Sequence, residues 1–217
     1  MSCTAGGVAV LDLSSTAGLT GDVQGLRALT QLTHLDLGST GVCGDVGALA
    51  ALTELTYLDL RSTSVSGDVG PLAALTQLTW LHLYRTGVAG DVGQLKSLTQ
   101  LTNLALRGTG VTGDVGPLAA LTRLEKLNLW GTSVSGEVGQ LAPLAQMNEL
   151  SLADTGVAGD VGPLAALAQL EYLNLGRTKV TGDVDLLAGL AKLGTVYAAG
   201  MTGCPLRLAS GKVVRCL

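Results

Sequence analysis

The chain has 217 residues, of which 47% are hydrophobic, and a formal net charge of −4 at pH 7. The negative net charge and the lack of a basic stripe argue against a nucleic-acid-binding protein, and no apolar run is long enough for membrane insertion. The chain contains 31 Gly, 4 Tyr and 2 Trp but no Phe. A core without Phe has to be built from aliphatic side chains, which can stack in columns of like shape.

One tripeptide, Gly-Asp-Val, recurs with a period of 23 residues, and only Glu137 replaces its acidic residue. A fixed period of this length is typical of a solenoid, in which each unit buries its apolar face by stacking on its neighbours. No linker interrupts the register, so we predict a single domain over residues 1–217. We expect an N-terminal capping repeat at residues 1–20, eight 23-residue repeats at 21–203 and a C-terminal cap at 204–217.

Within each unit the spacing of apolar residues changes. In residues 67–89 they lie three apart from Val69 to Leu78, as in a short helical or 3₁₀ segment, and two apart at Leu81 and Leu83, as in a strand. Each unit is therefore expected to contribute one strand to a curved parallel sheet of nine strands, centred on Leu11, Leu35, Leu58, Leu81, Leu104, Leu127, Leu150, Leu173 and Val196.

The pattern L-x-x-L-x-L-x-x-T-x-V, seen from Leu78 to Val88, resembles the leucine-rich-repeat family, with Thr86 where the family carries Asn or Cys. The resemblance covers about residues 8–204 and implies an α/β solenoid: an arc with a concave parallel β-sheet and short helical or 3₁₀ segments on its convex side. The Val-x-Gly-Asp-Val stretch is similar to a segment of the plant-specific class of these repeats, which adds a short second strand there. Repeats with Thr at this site also resemble those of protist surface antigens.

All six aromatic residues and both histidines fall on outward positions of the predicted strands, where the repeat frame arranges them in three columns. Tyr, Trp and Arg dominate binding hot spots because they combine a large apolar area with a polar tip. The alternative is that strand propensity placed the aromatic residues there to cover the backbone. The predicted partner-binding residues are Tyr57, Arg61, Trp80, His82, Tyr84, Arg85, Arg107, Lys126, Trp130 and Tyr172.

The Gly-Asp-Val copies also place eight carboxylates in one column, about 5 Å apart, where neighbouring charges repel by roughly 0.8 kcal/mol in a water-like dielectric. We expect each carboxylate to accept backbone N–H groups at the turn entering the helical segment. The alternative is a cation site, because calcium prefers several carboxylate oxygens. Its candidate ligands are Asp45, Asp68, Asp91 and Asp114.

A Thr column accompanies the repeats. Regular Thr arrays can bind ice, but the family resemblance places this site inward, which favours a buried structural role. The column contains Thr40, Thr63, Thr86, Thr109, Thr132, Thr155 and Thr178.

The four cysteines avoid the middle of the chain. Residues 204–216 are typical of a hairpin cap around Ser210-Gly211, which a Cys204–Cys216 disulfide would close, while the partners of Cys3 and Cys43 stay open. Such a disulfide would favour an extracellular or cell-surface protein. Residues 1–10 show no signal-peptide pattern, so the location is not assigned.

The inventory of catalytic residues is small, because the chain has 2 His and its Gly residues lack the Gly-Lys-Ser/Thr ending of a phosphate loop. We therefore predict a non-enzymatic module without a cofactor that recognises a protein partner through the concave sheet. The alternatives are a glycan-binding or surface adhesion protein, in which Trp and Tyr stack on sugar rings, and a structural subunit of a larger complex.

Overall fold

In the computed structural model, which describes residues 3–4, 7–198, 201–203, 206–207 and 213–214, the chain forms a solenoid of stacked units. A full unit contains a strand of a nine-stranded sheet, a strand of an eight-stranded sheet and a 3₁₀ helix. Each strand pairs in parallel with the equivalent strand of the next unit. The predicted fold class, an arc with a concave parallel sheet of about nine strands and a convex side of short helical segments, is confirmed.

The nine-stranded sheet is concave, and every strand is centred on the residue that the apolar spacing predicts. The residues of each unit align in register, so that Leu35 pairs with Leu58 and Leu58 with Leu81. The strands are Val10–Asp12, His34–Asp36, Tyr57–Asp59, Trp80–His82, Asn103–Ala105, Lys126–Asn128, Glu149–Ser151, Tyr172–Asn174 and Thr195–Tyr197.

The eight-stranded sheet lies at the corner that follows each Thr turn, where the family resemblance implies a short second strand. Seven strands of this sheet end at the acidic residue of the Gly-Asp-Val motif, and the eighth ends two residues before it. The strands are Thr20–Asp22, Gly41–Asp45, Ser64–Asp68, Gly87–Asp91, Gly110–Asp114, Ser133–Glu137, Gly156–Asp160 and Lys179–Thr181.

The return segments are all 3₁₀ helices of four to six residues, as a spacing of three between apolar residues favours. In the third helix Leu72 points inward, and its neighbours Val69 and Leu75 complete one apolar stripe with 0% exposure. The helices are Val23–Leu26, Val46–Ala51, Gly70–Ala74, Val92–Ser97, Gly116–Ala120, Val138–Leu141, Gly162–Ala166 and Val184–Leu187.

The core is an aliphatic column between the two sheets and the 3₁₀ helices. Leu81, Leu83 and Val88 have 0% exposure, and burying such a side chain stabilises the fold by about 1.5–3 kcal/mol. No aromatic side chain belongs to this core in the part of the chain that the structure describes. Among the same residues, no helix has the length and apolar character needed to cross a membrane.

The Thr column has a structural role, and its side-chain hydrogen bonds lie within each unit rather than between neighbouring units. Each hydroxyl donates to the backbone carbonyl three residues earlier in its own unit, at 2.5–2.7 Å, as Thr86 does to Leu83. Six of these seven Thr residues are buried. They therefore close the turn that follows seven of the nine strands of the nine-stranded sheet.

A different set of Thr hydroxyls does connect the units. Thr33, Thr56, Thr79 and Thr102 each donate to the backbone carbonyl of the equivalent residue one unit earlier, at 2.9–3.1 Å. The set ends there, because the next equivalent residue is Glu125. We call these four residues the Thr ladder.

Short antiparallel pairs flank the stack, with Cys3–Thr4 on Gly7–Val8 and Leu206–Arg207 on Val213–Val214. The predicted Cys204–Cys216 disulfide concerns residues outside the described ranges and stays a prediction. Where side chains are described, there is no disulfide bond, and Cys43 is an exposed free thiol.

Candidate recognition surface

Aromatic rings run across the outward face of the first strands of the nine-stranded sheet. We call His34, Tyr57, Trp80, His82 and Tyr84 the aromatic ribbon. Successive ring centroids lie 4.1, 5.6, 4.4 and 6.0 Å apart, and the first two pairs are stacked. The parallel register produces the first two pairs, because equivalent residues of neighbouring strands lie about 4.8 Å apart, a spacing that suits offset stacking of rings. The last two pairs join residues two apart within one unit.

Carboxylates lie beside the aromatic ribbon and change its electrostatics. Burial, followed by the nearby Asp59 and Asp36 carboxylates, raises the pKa of Tyr57 to about 12. Burial also raises the pKa of Asp36, although the bond from the Gly38 N–H lowers it. The Asp59 carboxylate raises the pKa of the Arg61 guanidinium.

Asp59 is fully buried and holds the two side chains next to it. Its Oδ1 accepts the Arg61 backbone N–H at 2.9 Å, and its Oδ2 lies 3.2 Å from the Arg61 guanidinium. The same Oδ2 lies 3.6 Å from His82 Nδ1, while His82 Nε2 lies 2.8 Å from Asn103 Oδ1. His82 is therefore positioned between two polar groups, and its ring lies beside those of Trp80 and Tyr84 in the aromatic ribbon.

Further along the same face, side chains of different units bind one another. The Arg107 guanidinium lies 4.0 Å from the centre of the Trp130 ring, and Trp130 Nε1–H donates to Asp154 Oδ2 at 2.8 Å. Arg177 pairs with Asp154 Oδ1 at 3.3 Å. We call Arg107, Trp130, Asp154 and Arg177 the charged network.

Further contacts fix two more of the predicted residues, Lys126 and Tyr172. Lys126 forms an ion pair with Glu149 of the next unit. The Tyr172 hydroxyl accepts the Asn174 side-chain amide at 3.3 Å, and the Tyr172 ring lies 5.9 Å from that of Tyr197. The side chains on this face are therefore largely held in place before any partner binds.

A groove of about 820 Å³ lies between the aromatic ribbon and the charged network. It exists because the small side chains of Ala105 and Ser151 form part of its lining, at positions where other units carry Asp, Asn, His or Tyr. Tyr57 and Arg61 lie beside it without lining it. The other eight predicted partner-binding residues line the groove: Trp80, His82, Tyr84, Arg85, Arg107, Lys126, Trp130 and Tyr172.

Asp154, Arg177 and Glu149 belong to this surface and were not among the predicted residues. Asp154 and Arg177 occupy the same position of the repeat frame as Arg85, whereas the other units carry Ser or Gly there. A charged residue at a position otherwise held by small residues is the sequence signal that identifies Asp154 and Arg177.

The column of eight motif carboxylates, which we call the acidic corner, has a structural role in seven units. In these units an Asp Oδ1 accepts the backbone N–H two residues later, at 2.6–2.9 Å. Glu137 begins its 3₁₀ helix without a side-chain bond. Across the described ranges, no group of three His, Cys, Asp or Glu side chains is arranged to hold a metal ion.

Solved structures with a similar fold contain leucine-rich repeats. The leucine-rich-repeat ectodomain of the plant membrane receptor kinase GASSHO1/SCHENGEN3 from Arabidopsis thaliana, in complex with CASPARIAN STRIP INTEGRITY FACTOR 2, has a TM-score of 0.77 and 25% identity over 84% of this chain and 23% of that one. The plant peptide hormone receptor RGFR1 in complex with RGF2 has a TM-score of 0.75 and 18% identity over 88% of this chain and 36% of that one. This chain thus spans about a quarter to a third of the length of these plant proteins.

A bacterial protein matches over most of both chains. Internalin C2 from Listeria monocytogenes has a TM-score of 0.68 and 30% identity over 85% of this chain and 78% of that one. No protein-family model and no curated protein matches the sequence. The parallel solenoid, the 23-residue repeat frame and this identity show that the chain belongs to the leucine-rich-repeat family.

Proposed function

We propose that this protein is a non-enzymatic recognition module that binds a protein partner through the outward face of its nine-stranded sheet. One observation carries the proposal. All six aromatic residues and both histidines lie half-buried on this single face, while the core consists of aliphatic side chains. Packing alone does not call for this segregation, because an aromatic residue needed to fill space would also occur in the core.

The arrangement of these side chains suits binding. Tyr, Trp and Arg provide most of the binding energy at protein interfaces. Stacking in the aromatic ribbon and bonds in the charged network already restrict their rotamers. A partner therefore pays about 0.5–1.5 kcal/mol less for each side chain that is held in place beforehand.

Similar solved structures support a protein partner. The GASSHO1/SCHENGEN3 ectodomain is in complex with CASPARIAN STRIP INTEGRITY FACTOR 2, and the peptide hormone receptor RGFR1 is in complex with RGF2. The first of these is the ectodomain of a membrane receptor kinase. By this likeness we also propose an extracellular or cell-surface location.

The test is affinity capture from the native source with three forms of the protein. We expect the wild type to capture a partner that the triple variant Trp80→Ala, Tyr84→Ala, Trp130→Ala does not. A matched control, Gln77→Ala, Arg123→Ala, Gln146→Ala, changes three exposed side chains outside this groove and should capture the partner as the wild type does.

Unchanged affinity of the folded aromatic variant would contradict the proposed surface. A glycan array probed with the same three forms tests the alternative that the ligand is a glycan. Glycan binding that depends on the three aromatic residues, without a captured protein, would favour a glycan-binding protein instead.

A further inference from the structure

The turn after each of the first eight strands of the nine-stranded sheet has a left-handed backbone at one position. This position recurs from Ser15 to Arg177, and φ there lies between +53° and +68° in all eight units. Gly108 and Gly131 meet the requirement without strain, and three units carry Ser. Bulky residues at positive φ are outliers that cluster at ligand-binding and other functional sites. Among the described residues, three units carry a charged side chain at this position: Arg85, Arg177 and the shorter Asp154.

Two of the three outliers are accounted for by contacts within the protein. Asp154 accepts the Trp130 indole N–H, and Arg177 pairs with Asp154, so both connect neighbouring units of the charged network. Arg85 differs from them. Its side chain is exposed and has no hydrogen bond or ion pair with any residue that the structure describes.

Arg85 lies beside a second cation without a carboxylate partner. Its backbone N–H donates to the Arg107 carbonyl at 2.9 Å, and both residues line the groove. The Arg107 guanidinium contacts the face of Trp130, whereas Arg61, Lys126 and Arg177 are each paired with an acidic residue. Two guanidinium groups therefore remain available for an anion at the groove.

We propose that Arg85 and Arg107 bind a single carboxylate side chain of an extended, otherwise apolar segment of the partner, with Trp80, Tyr84 and Trp130 receiving the apolar side chains beside it. This inference rests on the proposed function and names the chemistry of the partner. Arg binds carboxylates through two parallel N–H donors, and such charge-assisted bonds are strong and directional. The strained backbone at Arg85 is then retained because it presents the guanidinium to the partner.

The surrounding charges favour an isolated carboxylate over a polyanion. Glu149 also lines the groove, and Asp59 and Asp154 lie beside it. The chain as a whole carries a net charge of −4. The many charges of a nucleic acid or a sulfated polysaccharide would each be repelled by these acidic groups, whereas a single carboxylate held between the two guanidinium groups meets less repulsion.

The test uses a displayed library of random short peptides, selected on the full-length wild type, on Arg85→Gly and on Ser62→Gly. Ser62 occupies the same left-handed position as Arg85, at φ +53°. Both Gly variants relieve the same backbone strain, and each should melt about 2–4 °C higher than the wild type. A higher melting temperature in both variants would show that both are folded.

We expect peptides selected on the wild type and on Ser62→Gly to be enriched in Asp and Glu over the unselected library. A selected acidic peptide should bind Arg85→Gly about tenfold more weakly than Ser62→Gly, and this loss should diminish when its acidic residue is replaced by Gln.

Peptides selected without acidic enrichment, or acidic peptides that bind Arg85→Gly as tightly as Ser62→Gly, would overturn the inference and leave the proposed function in place. Failure to select any peptide above background would count against the proposed function itself.

Discussion

The acidic corner and the outward face of the nine-stranded sheet are built on the same 23-residue frame but use it in opposite ways. In the acidic corner, seven of eight units repeat one residue type and one hydrogen bond. On the outward face the residue type changes from unit to unit, and side chains of neighbouring units form contacts that do not repeat.

The difference lies in what each side chain contacts. In the acidic corner a carboxylate bonds its own backbone and packs against a Gly of the next unit, which has φ near +100° and no space for a Cβ. On the outward face some side chains also bond their own backbone, but the contacts described between neighbouring units join side chains, so a change at one position requires a matching partner. Repetition thus stabilises the frame, while the surface that we propose for recognition carries side chains that vary from unit to unit.

The largest expected effect comes from Gly113→Ala in the acidic corner. A Cβ there would collide with the Asp91 carboxylate and would sit at φ +94°. We expect the free energy of unfolding to fall by about 2–3 kcal/mol, through backbone strain and loss of the helix cap. Denaturant unfolding measures this directly.

Gly131→Ala is the matched control for Gly113→Ala. It also has positive φ, at +68°, but no atom lies within 4 Å of its Cβ position, so only strain of about 1 kcal/mol is expected. Adding Asp91→Ala to Gly113→Ala should cost less than Asp91→Ala alone. Equal losses for the two Gly variants would show that the carboxylate contact does not matter.

Glu137→Asp should restore the one missing cap. The shorter side chain can accept the Gly139 backbone N–H as the other units do, so we expect a gain of about 0.5–1 kcal/mol in the free energy of unfolding. Asp114→Glu, the reverse change in the preceding unit, should lose a similar amount. If both changes were neutral, the repeated hydrogen bond would contribute nothing measurable.

On the outward face, Asp36→Asn should stabilise the protein by about 0.5 kcal/mol at neutral pH, after solvent screening. Burial raises the pKa of Asp36, so its ionised form is disfavoured in the folded state. Asn128 and Asn174 already accept the equivalent backbone N–H in their units. The gain should shrink as pH falls through the raised pKa of Asp36 and vanish well below its ordinary value of 3.8, where Asp36 is neutral. Thermal unfolding at neutral pH measures the gain in stability, and thermal unfolding at acidic pH measures its loss.

A further effect appears only at alkaline pH. The pKa of Tyr57 is raised from 10.0 to about 12 in the folded state. As pH rises from 10.0 to about 12, the unfolded chain loses the phenol proton first, so the free energy of unfolding should fall over this range. Tyr57→Phe should have a shallower decline, and tyrosinate absorbance of the folded protein reports the pKa independently. Identical declines for both proteins would contradict the assignment.

The sequence predicts every strand centre because one period governs the whole stack, and Leu35, Leu58 and Leu81 pair as that period requires. It also places the aromatic residues on one face. It does not predict which side chains pair, because a period fixes Cα positions and leaves rotamers open. The sequence therefore does not show that Arg107 contacts Trp130 rather than a carboxylate, or that Thr86 forms its hydrogen bond within its own unit.

The Thr ladder gives the solenoid a direction of unfolding. Its inter-unit hydrogen bonds join the units from Thr33 to Thr102. Beyond Glu125 the units are joined instead by partly exposed side-chain pairs such as Lys126–Glu149, which contribute little stability. In a stack where each unit contacts only its neighbours, opening begins where the interfaces are weakest. We therefore expect amide hydrogens of the strands after Lys126 to exchange before those of the strands between His34 and Ala105, so that the molecule opens from its C-terminal half.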